Sequence, residues 1–252
     1  ASFGAIARMT TAGEFKGAVQ TPHAGDVADA IVAGRDGNIW FAESSNDVAR
    51  IGRITRNGAL TEYRLPSGST PLTLAAGSAG IVFAGYPGAT LGLVSYSGTI
   101  SKITFKTKID IKSLAYDSSG TLWYAGCEGV GRLTRSHNVR DYLVEGGCNG
   151  APGVSVARNG LVWFSAAGRV GHVDPSGRMR LFKPLFAPTS MTAAPDGNLW
   201  FDNFSANLVT RITPEGDVMR LQTTFGDSPG DIAVGPDGNL WVCGARKMLR
   251  IT

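Results

Sequence analysis

Few residues in this 252-residue chain have side chains suited to chemistry, and their types narrow what that chemistry is. Asp29 and Glu43 bring carboxylate oxygens, the donors that a hard cation such as Mg2+ or Ca2+ takes. His23, with a ring that titrates near neutrality, stands six residues before Asp29 and offers proton transfer. The other two histidines are His137 and His172. A Gly-x-x-x-x-Gly-Lys-Ser/Thr phosphate loop and a His-Glu-x-x-His zinc motif are both absent from the sequence, and no Gly-x-Ser-x-Gly stands at a strand-to-helix turn. Nucleotide hydrolysis and metalloprotease chemistry are thereby set aside. No Lys/Arg run exceeds two residues at a net charge of +4, so a dedicated nucleic-acid patch is not expected, nor is a membrane span.

What positions these residues is a repeat. Asp36-Gly37-Asn38-Ile39-Trp40-Phe41 has five relatives along the chain, the last being Asp237-Gly238-Asn239-Leu240-Trp241-Val242. Aligned on Trp40, Val82, Trp123, Trp163, Trp200 and Trp241, the gaps are 42, 41, 40, 37 and 41 residues, the period of a four-stranded propeller blade. Each period carries four short β-signals, a to d, parted by Gly, Asn, Asp or Pro, with no helical periodicity. The expected fold is therefore all-β: one six-bladed β-propeller of four-stranded antiparallel blades across residues 1–252. The Trp, Phe and Asp-Gly residues pack blades and close turns.

The termini test this expectation. Residues 248–252 read as a strand c, leaving the sixth blade without its strand d. Residues 14–19 read as a strand d, so they are expected to pair with the C-terminal strand and close the ring, removing two sheet edges. Residues 3–10 are then one strand too many: a fifth strand, an outlying one, or a replacement for the C-terminal strand.

In such a ring the b-to-c and d-to-a loops meet at one end of the channel, where ligands bind. That end gathers His23, Asp26, Asp29, Glu43 and Asn46 from the first blade. Asp110, Lys112, Glu128 and Asn149 follow, then Asp202, Asn203 and Asn207, and finally Asp227, Asp231, Arg246 and Lys247. Among these, Asp26, Asn46, Lys112, Glu128, Asn203, Asp231 and Arg246 are the candidate ligand contacts. Asp29 and Glu43 are the candidate metal ligands, and with His23 the candidate catalytic groups. Cys127 and Cys148 both fall at this rim, close enough for a disulfide, with two reduced thiols the alternative; Cys243 is expected to stay free.

The repeat of type GPDGNLWF, followed by strands of type RIGRIT (residues 50–55) and LTEYRLP (60–66), resembles the streptogramin lyase (virginiamycin B lyase) family along essentially the whole chain. That resemblance implies magnesium-dependent opening of streptogramin B antibiotics at their ester linkage by elimination. It also implies a histidine eleven residues before the Trp anchor, a Glu two residues before that histidine, and a second Glu three after the anchor. Carboxylates would hold the metal that stabilises the enolate while histidine moves the proton. Here the histidine position holds Asp29, Lys112, Pro152, Thr189 and Gly230, with Leu72 in the shortened second blade. The second Glu position is matched by Glu43 alone; Gly85, Gly126, Ala166, Asn203 and Gly244 fill the others.

Three functions follow as expectations. The first is a binding scaffold, secreted or periplasmic and monomeric, which takes a small molecule or protein at the channel end without catalysis and with no obligatory cofactor. The second is a metal-dependent lyase or lactonase-like hydrolase centred on Asp29 and Glu43, with Mg2+ or Ca2+. The third is a repeat domain of a larger protein, anchored at its outer edge by Phe186, Phe204 and Phe225. A cytoplasmic location is the alternative placement. The absence of an initial Met leaves a removed export signal and a trimmed start both open.

Overall fold

A computed structural model describes residues 4–23, 27–44, 48–86, 90–183, 186–203, 206–222, 229–244 and 247–252. These form twenty-five strands in two compact units, Ala1–Lys106 and Thr107–Thr252. In the first unit, β1 (Ala5–Met9) and β2 (Phe15–Gln20) make a two-stranded sheet. The first blade is β3 (Val27–Ala33), β4 (Ile39–Ser44), β5 (Ala49–Ile54) and β6 (Leu60–Arg64). The second is β7 (Leu74–Ala76), β8 (Gly80–Tyr86), β9 (Thr90–Ser95) and β10 (Ile100–Ile103).

The second unit continues with β11 (Ser113–Tyr116), β12 (Leu122–Gly126), β13 (Gly129–Leu133) and β14 (Val139–Leu143). Its next blade is β15 (Gly153–Val156), β16 (Val162–Ala166), β17 (Arg169–Val173) and β18 (Met179–Phe182). The fifth is β19 (Met191–Ala193), β20 (Leu199–Asn203), β21 (Leu208–Ile212) and β22 (Val218–Gln222). The sixth has three strands, β23 (Pro229–Val234), β24 (Leu240–Gly244) and β25 (Met248–Ile251). Every pairing is antiparallel and between chain neighbours, as short hairpin turns require. The fold class is all-β, a six-bladed β-propeller.

The repeat motif has a local cause. The Asp36 carboxylate accepts the Asn38 backbone N–H at 3.2 Å and its side-chain amide at 2.8 Å, and it accepts the indole N–H of buried Trp40 at 3.2 Å. Asp237 repeats this with Asn239 and Trp241, and Asp117 does the same work with Thr121 and Trp123. One side chain thus closes the a-to-b turn and satisfies the donor of the blade's central anchor. Across the hairpin, Phe41 lies over Gly52, where an added Cβ would stand 2.1 Å from the ring. Phe83 over Gly92, Tyr124 over Gly131 and Phe164 over Gly171 repeat the arrangement. In the fifth blade, Phe201 faces Thr210 instead.

Blades pack through these rings. Trp40, Ile51 and Phe83 share a core between the first and second blades, and Trp123 and Phe164 one between the third and fourth. Within the second unit the innermost strands are also stitched by serines. The Ser113 hydroxyl accepts the Val154 N–H at 3.1 Å, Ser155 that of Ala193 at 2.9 Å, and Ser190 that of Ile232 at 3.3 Å. Each bond satisfies a backbone donor of the next blade that its own sheet leaves open.

At the termini, each unit has its own sheet. β2 pairs with β1, with Ile6 opposite Val19, and β25 is the last strand of a three-stranded sheet. The surplus N-terminal strand of the sequence expectation is β1, the partner of β2. Thr10 and Glu14 close a tight turn through Thr10 N–H to Glu14 O at 2.9 Å, with Gly13 at φ +85°. A hairpin of that kind needs little loop-closure entropy.

Candidate functional site

In the first unit the candidate residues stand where β3, β4 and β5 end. Ala28 pairs with Glu43 and Ala30 with Ala42, so Asp29 is the extra residue of a β-bulge. Bulges of this kind re-aim a side chain beside a site. Asp29 is exposed and accepts the Ser44 hydroxyl. Glu43, on the adjacent rung, is fully buried. His23 is turned to other use: its Nε2 lies 3.1 Å from the Glu62 carboxylate on β6. Asp26 and Asn46 lie outside the described residues.

In the second unit, residues 107–112 form a strap across the third blade. Asp141 holds it at the outer side, accepting the Thr107 hydroxyl at 3.0 Å and the Lys108 N–H at 2.9 Å. Asp141 also accepts the hydroxyl of buried Tyr124 at 2.6 Å; burial and then this carboxylate push the phenol well above its ordinary range. Glu128 accepts the Asp110 N–H at 3.1 Å, and Lys112 pairs with Asp110 at 2.8 Å on the exposed rim. Cys127 and Cys148 are joined by a disulfide with their Cα atoms 4.9 Å apart, and Cys243 is free. Asn149 and the exposed Lys247 stand on the same kind of loop.

The fifth and sixth blades bring together a set that the sequence scattered. Asp202, fully buried at the end of β20, accepts the Ser190 N–H through Oδ1 at 2.7 Å, while its Oδ2 is buried without a hydrogen-bond partner. The Ser190 hydroxyl donates to Asp231 of β23. Burial pushes the Asp202 carboxyl up to about 6 against that backbone bond, and the Asp231 charge adds to the rise. Asn203 is spent on structure: its amide donates to Ala187 O at 2.7 Å and accepts the Ala206 N–H at 2.7 Å. Arg246 and Asp227 lie outside the described residues.

The remaining histidines sit elsewhere. His137 occupies a c-to-d turn at φ 62°, and His172 packs edge-on against Trp163 with Nε2 3.2 Å from Pro214 O. Among the described residues no three His, Cys, Asp or Glu side chains converge as a metal site. The magnesium that the resemblance implies would have Asp29 and Glu43 as its two carboxylates here, one of them already bonded to Ser44. The Asp202, Ser190 and Asp231 cluster had no local signal, because its bonds join residues twelve apart within the fifth blade and forty-one apart to a strand of the next.

Compared with known proteins, the chain matches the profile of the virginiamycin B lyase family over residues 1–251. The chain belongs to that family. Against the virginiamycin B lyase of Nocardia farcinica it is 32% identical over 130 residues, which is 50% of this chain and 45% of that relative. The match thus spans less than half the length of that lyase. A solved streptogramin B lyase structure superposes with a TM-score of 0.83 at 25% identity, covering 97% of this chain and 85% of the other. A catalytically inactive virginiamycin B lyase from Staphylococcus aureus, solved with quinupristin, superposes at 0.78 with 22% identity over 99% and 85%, a likeness of fold alone.

Proposed function

We propose that this member of the virginiamycin B lyase family is a binding propeller, taking a small molecule or protein against its b-to-c and d-to-a loops without lyase turnover. The observation that carries this reading is the fate of the histidines. The family position holds Asp29, Lys112, Pro152, Thr189 and Gly230, with Leu72 in the shortened second blade, and the chain's own three rings are committed to Glu62, a c-to-d turn and the Trp163 stack. Elimination needs a base placed at the proton it removes, and none of these rings offers one beside Asp29 and Glu43. An extracytoplasmic location fits the Cys127 to Cys148 disulfide, since such bonds persist in oxidising compartments.

Quinupristin, bound by the S. aureus relative, is the first ligand to try. Calorimetry is expected to register binding, and chromatography coupled to mass spectrometry to register no product. A new peak of unchanged mass formed only with Mg2+ would mean elimination and would overturn the reading.

A second reading, a metal-dependent enzyme with a rebuilt site, draws on the bulged Asp29 beside the buried Glu43. It requires Asp29→Ala with Glu43→Ala to lose both bound metal and turnover; unchanged metal content in that variant removes it.

A further inference from the structure

We infer that the outer groove between the fourth and fifth blades is a second binding site, for a small organic carboxylate with a compact apolar body. It lies within the second unit, built on β20, β21 and β22 with the start of the connection that follows β18, shares none of the candidate ligand contacts named above, and stands independently of the proposed function. The groove encloses about 340 Å3 of empty space, part of it open to solvent, and is lined by Lys183, Phe186, Phe201, Thr210, Ile212, Val218 and Arg220.

The groove has an origin in the repeat. In the first four blades the ring after the anchor lies over a glycine of strand c, so ring and strand fill one another's space. Thr210 takes that place in the fifth blade, opposite both Phe201 and Arg220. Strand c thus sets a hydroxyl-bearing side chain beside the ring, and both line the groove. Phe201, Thr210 and Ile212 form the buried floor, and the exposed Phe186 and Val218 form the walls.

Charge selects the ligand. Lys183 and Arg220 are both exposed at the mouth, and neither has an ion-pair partner among the described residues. Arg180, on the same outer edge, shows what a structural arginine does there: it donates to Pro214 O at 3.1 Å and Glu215 O at 2.7 Å and lies over Phe182. Two unpaired cations above an apolar floor complement a carboxylate whose carbon skeleton enters the groove, the guanidinium giving a planar fork for both oxygens.

The probe is benzoate, titrated into the whole chain while the methyl signals of Ile212 and Val218 are followed by NMR. Benzoate should shift both methyls saturably. Benzyl alcohol, without the charge, and acetate, without the apolar body, should each bind at least about tenfold more weakly. Lys183→Gln with Arg220→Gln should weaken benzoate about tenfold or more without lowering the melting temperature, since both side chains are exposed. Equal affinity for benzyl alcohol, equal affinity for acetate, unmoved methyls, or a double variant that binds as the parent would each overturn the site. A peptide ending in a free C-terminal Phe that binds more tightly than benzoate would overturn the small-molecule assignment in favour of a protein terminus. Quinupristin binding at the other loops should be unaffected by the double variant, so failure of either proposal leaves the other standing.

Discussion

At the scale of the residue, Asp202 carries the clearest electrostatic consequence. Its carboxyl is held near 6, against 3.8 for an ordinary aspartate, by burial opposed by the Ser190 N–H and reinforced by Asp231. The native state therefore keeps the proton more tightly than the unfolded chain. Stability from this group is present below pH 4 and is lost as pH rises through 6, on the order of 3 kcal/mol in all. Urea unfolding of the parent and of Asp202→Asn at pH 4 and pH 7 should show the variant gaining on the parent at the higher pH, and equal pH slopes would refute it. Gly52 makes a different point, because its lack of a Cβ is what lets Phe41 lie across the strand. Gly52→Ala should cost roughly 1–3 kcal/mol or more in thermal or urea unfolding, the price of overpacking a filled core. His172 has the opposite sign to Asp202: burial lowers its pKa, with the Pro214 carbonyl partly opposing, so its contribution is lost as pH falls through 6.5.

At the scale of the element, strands of three to seven residues are too short to be stable alone, and their neighbours supply what they lack. The serine stitches show how. Ser155→Ala leaves the Ala193 N–H without its acceptor and should cost about 1 kcal/mol. Hydrogen exchange at Ala193 should quicken while exchange within β16 and β17 stays slow. Uniform acceleration across the blade would mean that the serine acts on the blade as a whole and not as a stitch. The strands, their order and the Asp-Gly-Asn turns were all legible in the sequence, because each is dictated by residues within a few positions of one another. The stitches were not, since Ser113, Ser155 and Ser190 look like any polar residue until the next blade is laid beside them. The N-terminal hairpin lay between the two cases: the sequence shows two strands and a turn signal, and the structure pairs them with Ile6 opposite Val19.

At the scale of the whole molecule, 43% hydrophobic residues against 17% charged suit a chain that buries many short strands, and a charge of +4 goes with cations such as Lys183 and Arg220 that have no ion-pair partner among the described residues. Membership of the virginiamycin B lyase family sits at this scale as well, and the quinupristin experiment tests how far activity follows from it. By itself the sequence determined the repeat period, the strand content, the antiparallel blades, the family, and the absence of histidine from the family's position, since all of these are properties of local pattern. Only the tertiary structure decided that Asp29 sits on a bulge, that His23 is held by Glu62 and that Asp202, Ser190 and Asp231 form one cluster. It also decided that Phe201 and Thr210, paired across the hairpin, line a groove. These depend on contacts between residues tens of positions apart, where burial and the competition for hydrogen-bond partners settle what a side chain does.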